Sequence, residues 1–166
     1  MPAANVFYEE LMVAFGGGAI VDISNSSIMP TARMAYGLLQ AGDNDGAEEV
    51  LVLLREEIRS RERAGIRDSI MLRGAAMLAA MEGNRDMMLN HLNAAIDAGL
   101  RDRFILREPA LTAYQDDKEF QAIVSRLEGI LAAERRKTIE LVCSNNPAPE
   151  VWQPLPGTCP APAMGR

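Results

Sequence analysis

Apolar positions recur at three- and four-residue spacing along most of this chain, and nearly every such stretch stops at a glycine. That periodicity marks amphipathic helices, with a glycine just past the last turn as the usual left-handed stop. The pattern predicts a first helix over Val6 to Phe15, with Phe7, Leu11, Ala14 and Phe15 on one face and Gly16-Gly-Gly18 ending it. Residues Ala19 to Ser27 read either as a short extended piece or as loop. A second helix is expected from Met29 to Gln40, with Pro30 in its first turn and Gly42 beyond its end. A third runs from Gly46 to Arg63, opened by Asp45 and Glu48 in capping-box spacing, with Val50, Leu51, Leu54 and Ile58 on one face. Asp68 is expected to cap a fourth helix, Ser69 to Met81, and Asn84 a fifth, Arg85 to Ala98. Gly83 and Gly99 stop these two. After a connector from Arg101 to Glu108, Pro109 starts a short helix through Tyr114. Asp116 then caps the last long helix, on which Phe120, Ile123, Leu127 and Ile130 form a stripe. Glu134 to Lys137 interrupts that stripe, and Ile139 and Val142 resume it.

One segment of this pattern occurs twice. Met34-Ala-Tyr-Gly-Leu-Leu-Gln-Ala-Gly-Asp43 is followed by Asn-Asp-Gly-Ala47-Glu-Glu-Val-Leu51. Ala75-Ala-Met-Leu-Ala-Ala-Met-Glu-Gly-Asn84 is followed by Arg-Asp-Met-Met88-Leu-Asn-His-Leu92. Each copy is a helix, a glycine, a polar turn and a second helix. Repeated helical pairs bury their apolar faces on one another and leave a surface free, so the repeat points to a binding scaffold.

Composition agrees with an all-α chain. Aromatics make up only 5% of the 166 residues, and Ala, Leu and Met carry the apolar content. The net charge of −6 shows no overall basic footprint for nucleic acid. The basic runs Arg55 to Arg67 and Arg135 to Lys137 are mixed with Glu at helical spacing and read as solvated, ion-paired helix faces. No stretch reaches the roughly 18 apolar residues of a membrane span, and no leader pattern opens the chain. Prolines crowd the C-terminal end from Pro147 onward, which divides the chain into a helical domain, 1–142, and a Pro-rich tail, 143–166.

Candidate chemistry is sparse. The single histidine, His91, lies mid-helix without a matched nucleophile, so it reads as a packing or surface residue. One His and two distant Cys do not make a zinc site, and no cofactor is implied. Gly16-Gly-Gly18 lacks the Lys-Ser/Thr of a phosphate loop. The sequon Asn25-Ser-Ser27 is short enough to arise by chance. Cys143 and Cys159 are two free thiols in a reducing compartment. In an oxidising one they can close a loop around Trp152, worth about 3 kcal/mol. Acidic pairs such as Glu48/Glu49 and Asp116/Asp117 sit at helix starts, where the helix dipole accounts for them. An enzyme is therefore not expected.

The two copies resemble tetratricopeptide repeats. Ala35, Gly42, Ala47, Leu51 and Leu54 in the first copy, and Ala76, Gly83, Met88, Leu92 and Ala95 in the second, follow that family's small-residue spacing. The glycines are 41 residues apart against the family's roughly 34, and a lengthened second helix, Glu56 to Arg67, fits the excess. Thr31 and Ala79 stand where the family has large aromatics. The run Gly99-Leu-Arg-Asp-Arg-Phe-Ile-Leu-Arg-Glu-Pro109 and then Asp116-Asp-Lys-Glu-Phe120-Gln-Ala-Ile-Val-Ser-Arg-Leu127 is similar to the closing segment of bacterial members. The resemblance implies antiparallel hairpins stacked as a short right-handed α–α superhelix. It further implies a concave face holding a peptide or partner protein, as in the interaction or sensory modules of bacterial regulators.

By the same repeat geometry, Tyr36, Leu39 and Gln40 of one first helix and Arg73, Met77 and Met81 of the next line that groove. Arg73 either meets a partner carboxylate or pairs with a neighbouring Glu. The expected function is a non-catalytic protein-interaction scaffold in the cytoplasm, or in the periplasm as part of a membrane-anchored regulator. The alternatives are a small-molecule sensory domain and a homo-oligomerisation module, the latter a homodimer through Phe120 to Val142.

Overall fold

The computed structural model describes residues 28–144, and every regular element among them is helical. Helices α1 (Ile28–Ala41) and α2 (Asn44–Arg63) form one antiparallel hairpin, and α3 (Ser69–Met81) and α4 (Arg85–Asp97) form a second. Two short 3-10 helices follow, η1 (Arg103–Arg107) and η2 (Pro109–Tyr114), and then α5 (Lys118–Ser144). No described helix is long and apolar enough to cross a membrane. The expected helix at Val6 to Phe15, the glycine stop after it, the stretch Ala19 to Ser27, Trp152, Cys159 and the rest of the Pro-rich tail beyond Ser144 lie outside the described residues.

The 41-residue spacing holds at the level of single hydrogen bonds. Gly42 and Gly83 adopt positive φ (81° and 72°), which a side chain would oppose. Each lets its helix close with the same pair of bonds. Asp43 N–H donates to Leu38 O in the first copy, and Asn84 N–H to Ala79 O in the second. Asp43 Oδ1 then accepts from Gly46 N–H, and Asn84 Oδ1 from Met87 N–H. The cap of α2 is thus Asp43 and not Asp45. The helix starts two residues earlier than the capping-box spacing implied, because Asp43 immediately follows the glycine stop. Equivalent core positions are buried in both copies. They are Ala35 and Ala76, Leu38 and Ala79, Ala47 and Met88, Leu51 and Leu92, Leu54 and Ala95.

Helix α3 organises the packing. Nine of its thirteen residues are buried, which is what a helix surrounded by neighbours requires. It packs against α1, α2, α4 and η2. Its Gly74, Ala75, Ala76, Ala79 and Ala80 keep it thin enough for all four. Gly74 is the tightest point, where an added Cβ would overlap Ile28 Cγ2 of α1.

The connector after α4 is more ordered than loop chemistry implied. Residues 103–107 form η1, and Leu100, Ile105, Ala110 and Leu111 are buried. At the start of α5 the cap is Asp117, one residue after the expected Asp116. Its Oδ1 accepts from Glu119 N–H at 2.9 Å and Phe120 N–H at 3.1 Å. Asp117 also takes both prongs of Arg85, which opens α4, and that contact selects it over its neighbour. Its carboxyl is drawn down to about 2, first by the Arg85 hydrogen bonds and then by the Phe120 amide.

The chain divides into two compact units, Met1–Val124 and Ser125–Arg166. In the first, Phe120 and Ile123 of α5 are buried, as the apolar stripe requires. In the second, α5 continues unbroken through Ser144, with Leu127 buried and Leu141 61% exposed.

Two substitutions check this account. Gly74→Ala is expected to destabilise by about 1–2 kcal/mol, because the stiff Ile28 branch cannot yield and overpacking outweighs the gain in helix propensity. In an Ile28→Ala background the same change becomes neutral or stabilising, measured by urea midpoints, and equal costs in both backgrounds would place the constraint elsewhere. Asp117→Ala lowers the thermal midpoint, whereas Asp116→Ala leaves it within about 2 °C.

Candidate partner-binding face

The first helices of the two hairpins each present one polar-apolar stripe on the side where the chain returns. On α1, Arg33, Tyr36 and Gln40 share a face by their spacing, and on α3 Arg73, Met77 and Met81 do the same. A single carboxylate joins the two stripes. Glu108 is 3% exposed. Arg33 donates to it through two nitrogens, Nη2 to Oε1 at 2.5 Å and Nε to Oε2 at 3.1 Å. Arg73 Nη2 donates to the same Oε1 at 2.5 Å. Arg73 Nη1 donates onward to Asp102 Oδ2 at 2.9 Å. Two guanidiniums and two carboxylates therefore balance in charge.

This geometry follows from the local sequence. Glu108 occupies the N-cap position of η2, just before Pro109, and makes no side-chain cap bond. Glutamate is a poor cap, being too long to fold back on the first amides, so its carboxylate is free to reach α1 and α3. Burial pushes the Glu108 carboxyl up, but the hydrogen bonds from Arg33 and Arg73 outweigh it and hold the group below the usual carboxylate range. Arg33 is raised in turn, chiefly by its bond to Glu108. Arg73 Nε is buried with no acceptor among the described residues.

Beyond Glu108, η2 runs along α3. The Tyr114 hydroxyl donates to Ala80 O at 3.4 Å, seven residues along α3 from Arg73. Seven helical residues rise about 10 Å, and the six residues of a 3-10 helix about 12 Å, so the two segments advance together. Ala110 and Leu111 are buried, and η2 packs on both α3 and α1.

The structure thus separates the six residues expected to line a groove. Tyr36, Leu39 and Met81 are half-buried and Gln40 is exposed. Met77 is fully buried and belongs to the core. Arg73 is 12% exposed and committed to Glu108 and Asp102. Arg33, Asp102 and Glu108 were not singled out by the sequence. The one local signal for them was a glutamate in a cap position that favours shorter side chains.

No protein-family model, curated protein or solved structure matches the chain. The face is therefore read from its own chemistry. Among the described residues no group of three or more His, Cys, Asp or Glu is placed to hold a metal ion. His91 is half-buried on α4, and burial, opposed by Glu62 and reinforced by Arg67, lowers its proton affinity.

The Glu108 cluster has a pH signature. A carboxylate held lower in the folded than in the unfolded chain stabilises fully above the ordinary carboxylate range, and that stabilisation is lost as pH falls through the folded value. Glu108→Gln is expected to cost about 2–3 kcal/mol at pH 7, because it leaves two partly desolvated guanidiniums sharing the one carboxylate of Asp102. The difference between variant and wild type narrows on acidification. Thermal melts between pH 7 and pH 3 check this, and a constant difference would show that the Glu108 charge contributes nothing. Asp117 retains its own acid dependence in both proteins.

Proposed function

We propose that the chain is a non-catalytic interaction module of tetratricopeptide type, which holds a peptide or partner protein on the face of α1 and α3. The observation that carries this reading is the register of the two hairpins. Helices α1 and α3 start 41 residues apart, and so do α2 and α4. The second helix is twenty residues long in the first hairpin and thirteen in the second. Those seven extra residues, two helical turns, equal the excess of the period over the roughly 34 residues of the tetratricopeptide family. The packing of α3 on both helices of the preceding hairpin also fits consecutive units of such an array.

Within that face, Tyr36, Leu39, Gln40 and Met81 are the side chains still open to a partner, and Tyr36 is the aromatic among them. A pull-down from the source organism's lysate tests the reading, with wild type against Tyr36→Ala/Gln40→Ala. These substitutions spare the Glu108 cluster, and thermal melts of both proteins check that the variant is folded at the assay temperature. A protein retained by wild type and lost by the variant supports the interaction module. Equal recovery by both, or no protein recovered, moves the function off this face.

A further inference from the structure

The chain itself supplies what lies along the α1–α3 face from Arg73 to Ala80. Glu108 meets Arg33 and Arg73, Ala110 and Leu111 are buried two and three positions later, and Tyr114 reaches Ala80 O. Pro109, Thr112 and Ala113, between them, are exposed. That alternation is how a short peptide sits in a groove, with anchors inward and intervening positions outward.

Resting on the interaction reading above, we infer that Glu108 to Tyr114 is an internal occupant of the partner groove. Its partner is then a peptide of the same chemistry. Such a peptide carries an acidic residue, a small residue and a leucine two and three positions on, and an aromatic hydroxyl three further.

Exchange of one for the other is close to balanced at the receptor. A ligand bearing the same groups replaces the Glu108 carboxylate at Arg33 and Arg73 and refills the places of Ala110 and Leu111. The internal segment holds its advantage through tethering, which gives it a high effective concentration. It has little local structure of its own to hold it down. Its 3-10 turns are closed by single bonds such as Glu108 N–H to Ile105 O and Leu111 N–H to Glu108 O. Its polar attachments are the ion pairs of Glu108 and the long Tyr114 bond to Ala80 O, and one attachment point, Arg73 Nε, is not used. A partner that also satisfies that nitrogen gains a bond which the internal segment does not make.

Two measurements on the full chain test this. In the first, a fluorescein-labelled synthetic peptide of residues 107–115 is titrated by fluorescence polarisation into wild type and Glu108→Ala/Leu111→Ala. The variant removes the internal anchors and leaves the receptor side chains intact. It is expected to bind at least about tenfold more tightly than wild type, and a control peptide with Lys in place of its Glu binds neither. A folded variant that binds no better than wild type overturns the inference. In the second, native hydrogen exchange of the wild type covers the case of a variant that does not fold. The amides of Glu108, Leu111 and Gln115 are expected to exchange at least about tenfold faster than those of Ala76 to Ala80 in α3. Equal protection would make residues 108–114 permanent core and overturn the inference. Either failure leaves the Tyr36/Gln40 pull-down standing, since that comparison uses other positions.

Discussion

One carboxylate, that of Glu108, ties both first helices of the first unit to the chain that returns across them, alongside the packing of η2 on α1 and α3. Hairpin α1–α2 and hairpin α3–α4 each close through neighbours in sequence. Glu108 lies 75 residues from Arg33 and 35 from Arg73, and it bonds both. A buried charge of this kind is costly unless its oxygens are satisfied, and here three N–H donors satisfy them. The constraint works in both directions. The two arginines are held on the returning chain, and the returning chain is held in the space between the first helices.

Much of the helical framework was legible along the chain because its determinants are local. Gly42, Gly83 and Gly99 end their helices, and Asp68 and Asn84 cap theirs, each acting within a few residues of its own position. The two caps that moved, Asp45 to Asp43 and Asp116 to Asp117, lie where neighbouring acidic residues compete. Local spacing cannot rank them. The glycine stop at Gly42 decided the first, and Arg85, 32 residues away, decided the second. Helix η1 was missed because five residues are too few to show a helical period.

The face of α1 and α3 was only half legible. Repeat spacing picks out which residues of a first helix point to one side, and Tyr36, Leu39, Gln40, Arg73, Met77 and Met81 do follow that spacing. It is blind to what the later chain lays over them. Helix η2 packs on α3, Met77 is fully buried, and Arg73 is matched by Glu108 and Asp102. What remains open lies at the far end of both first helices, from Tyr36 to Gln40 and at Met81.

The separation of Arg33 and Glu108 in sequence also bears on how the molecule forms. Most packing in the first unit joins adjacent elements, an arrangement in which hairpins assemble with small loop-closure entropy. The Arg33–Glu108 pair, like the packing of η2 on α1, closes one of the longest loops in the first unit and joins the first hairpin to the chain beyond the second. Closing that loop costs more chain entropy than closing either hairpin. Glu108 in this sense is a long-range closure laid over two locally determined hairpins, whose glycines and caps act within a few residues of themselves.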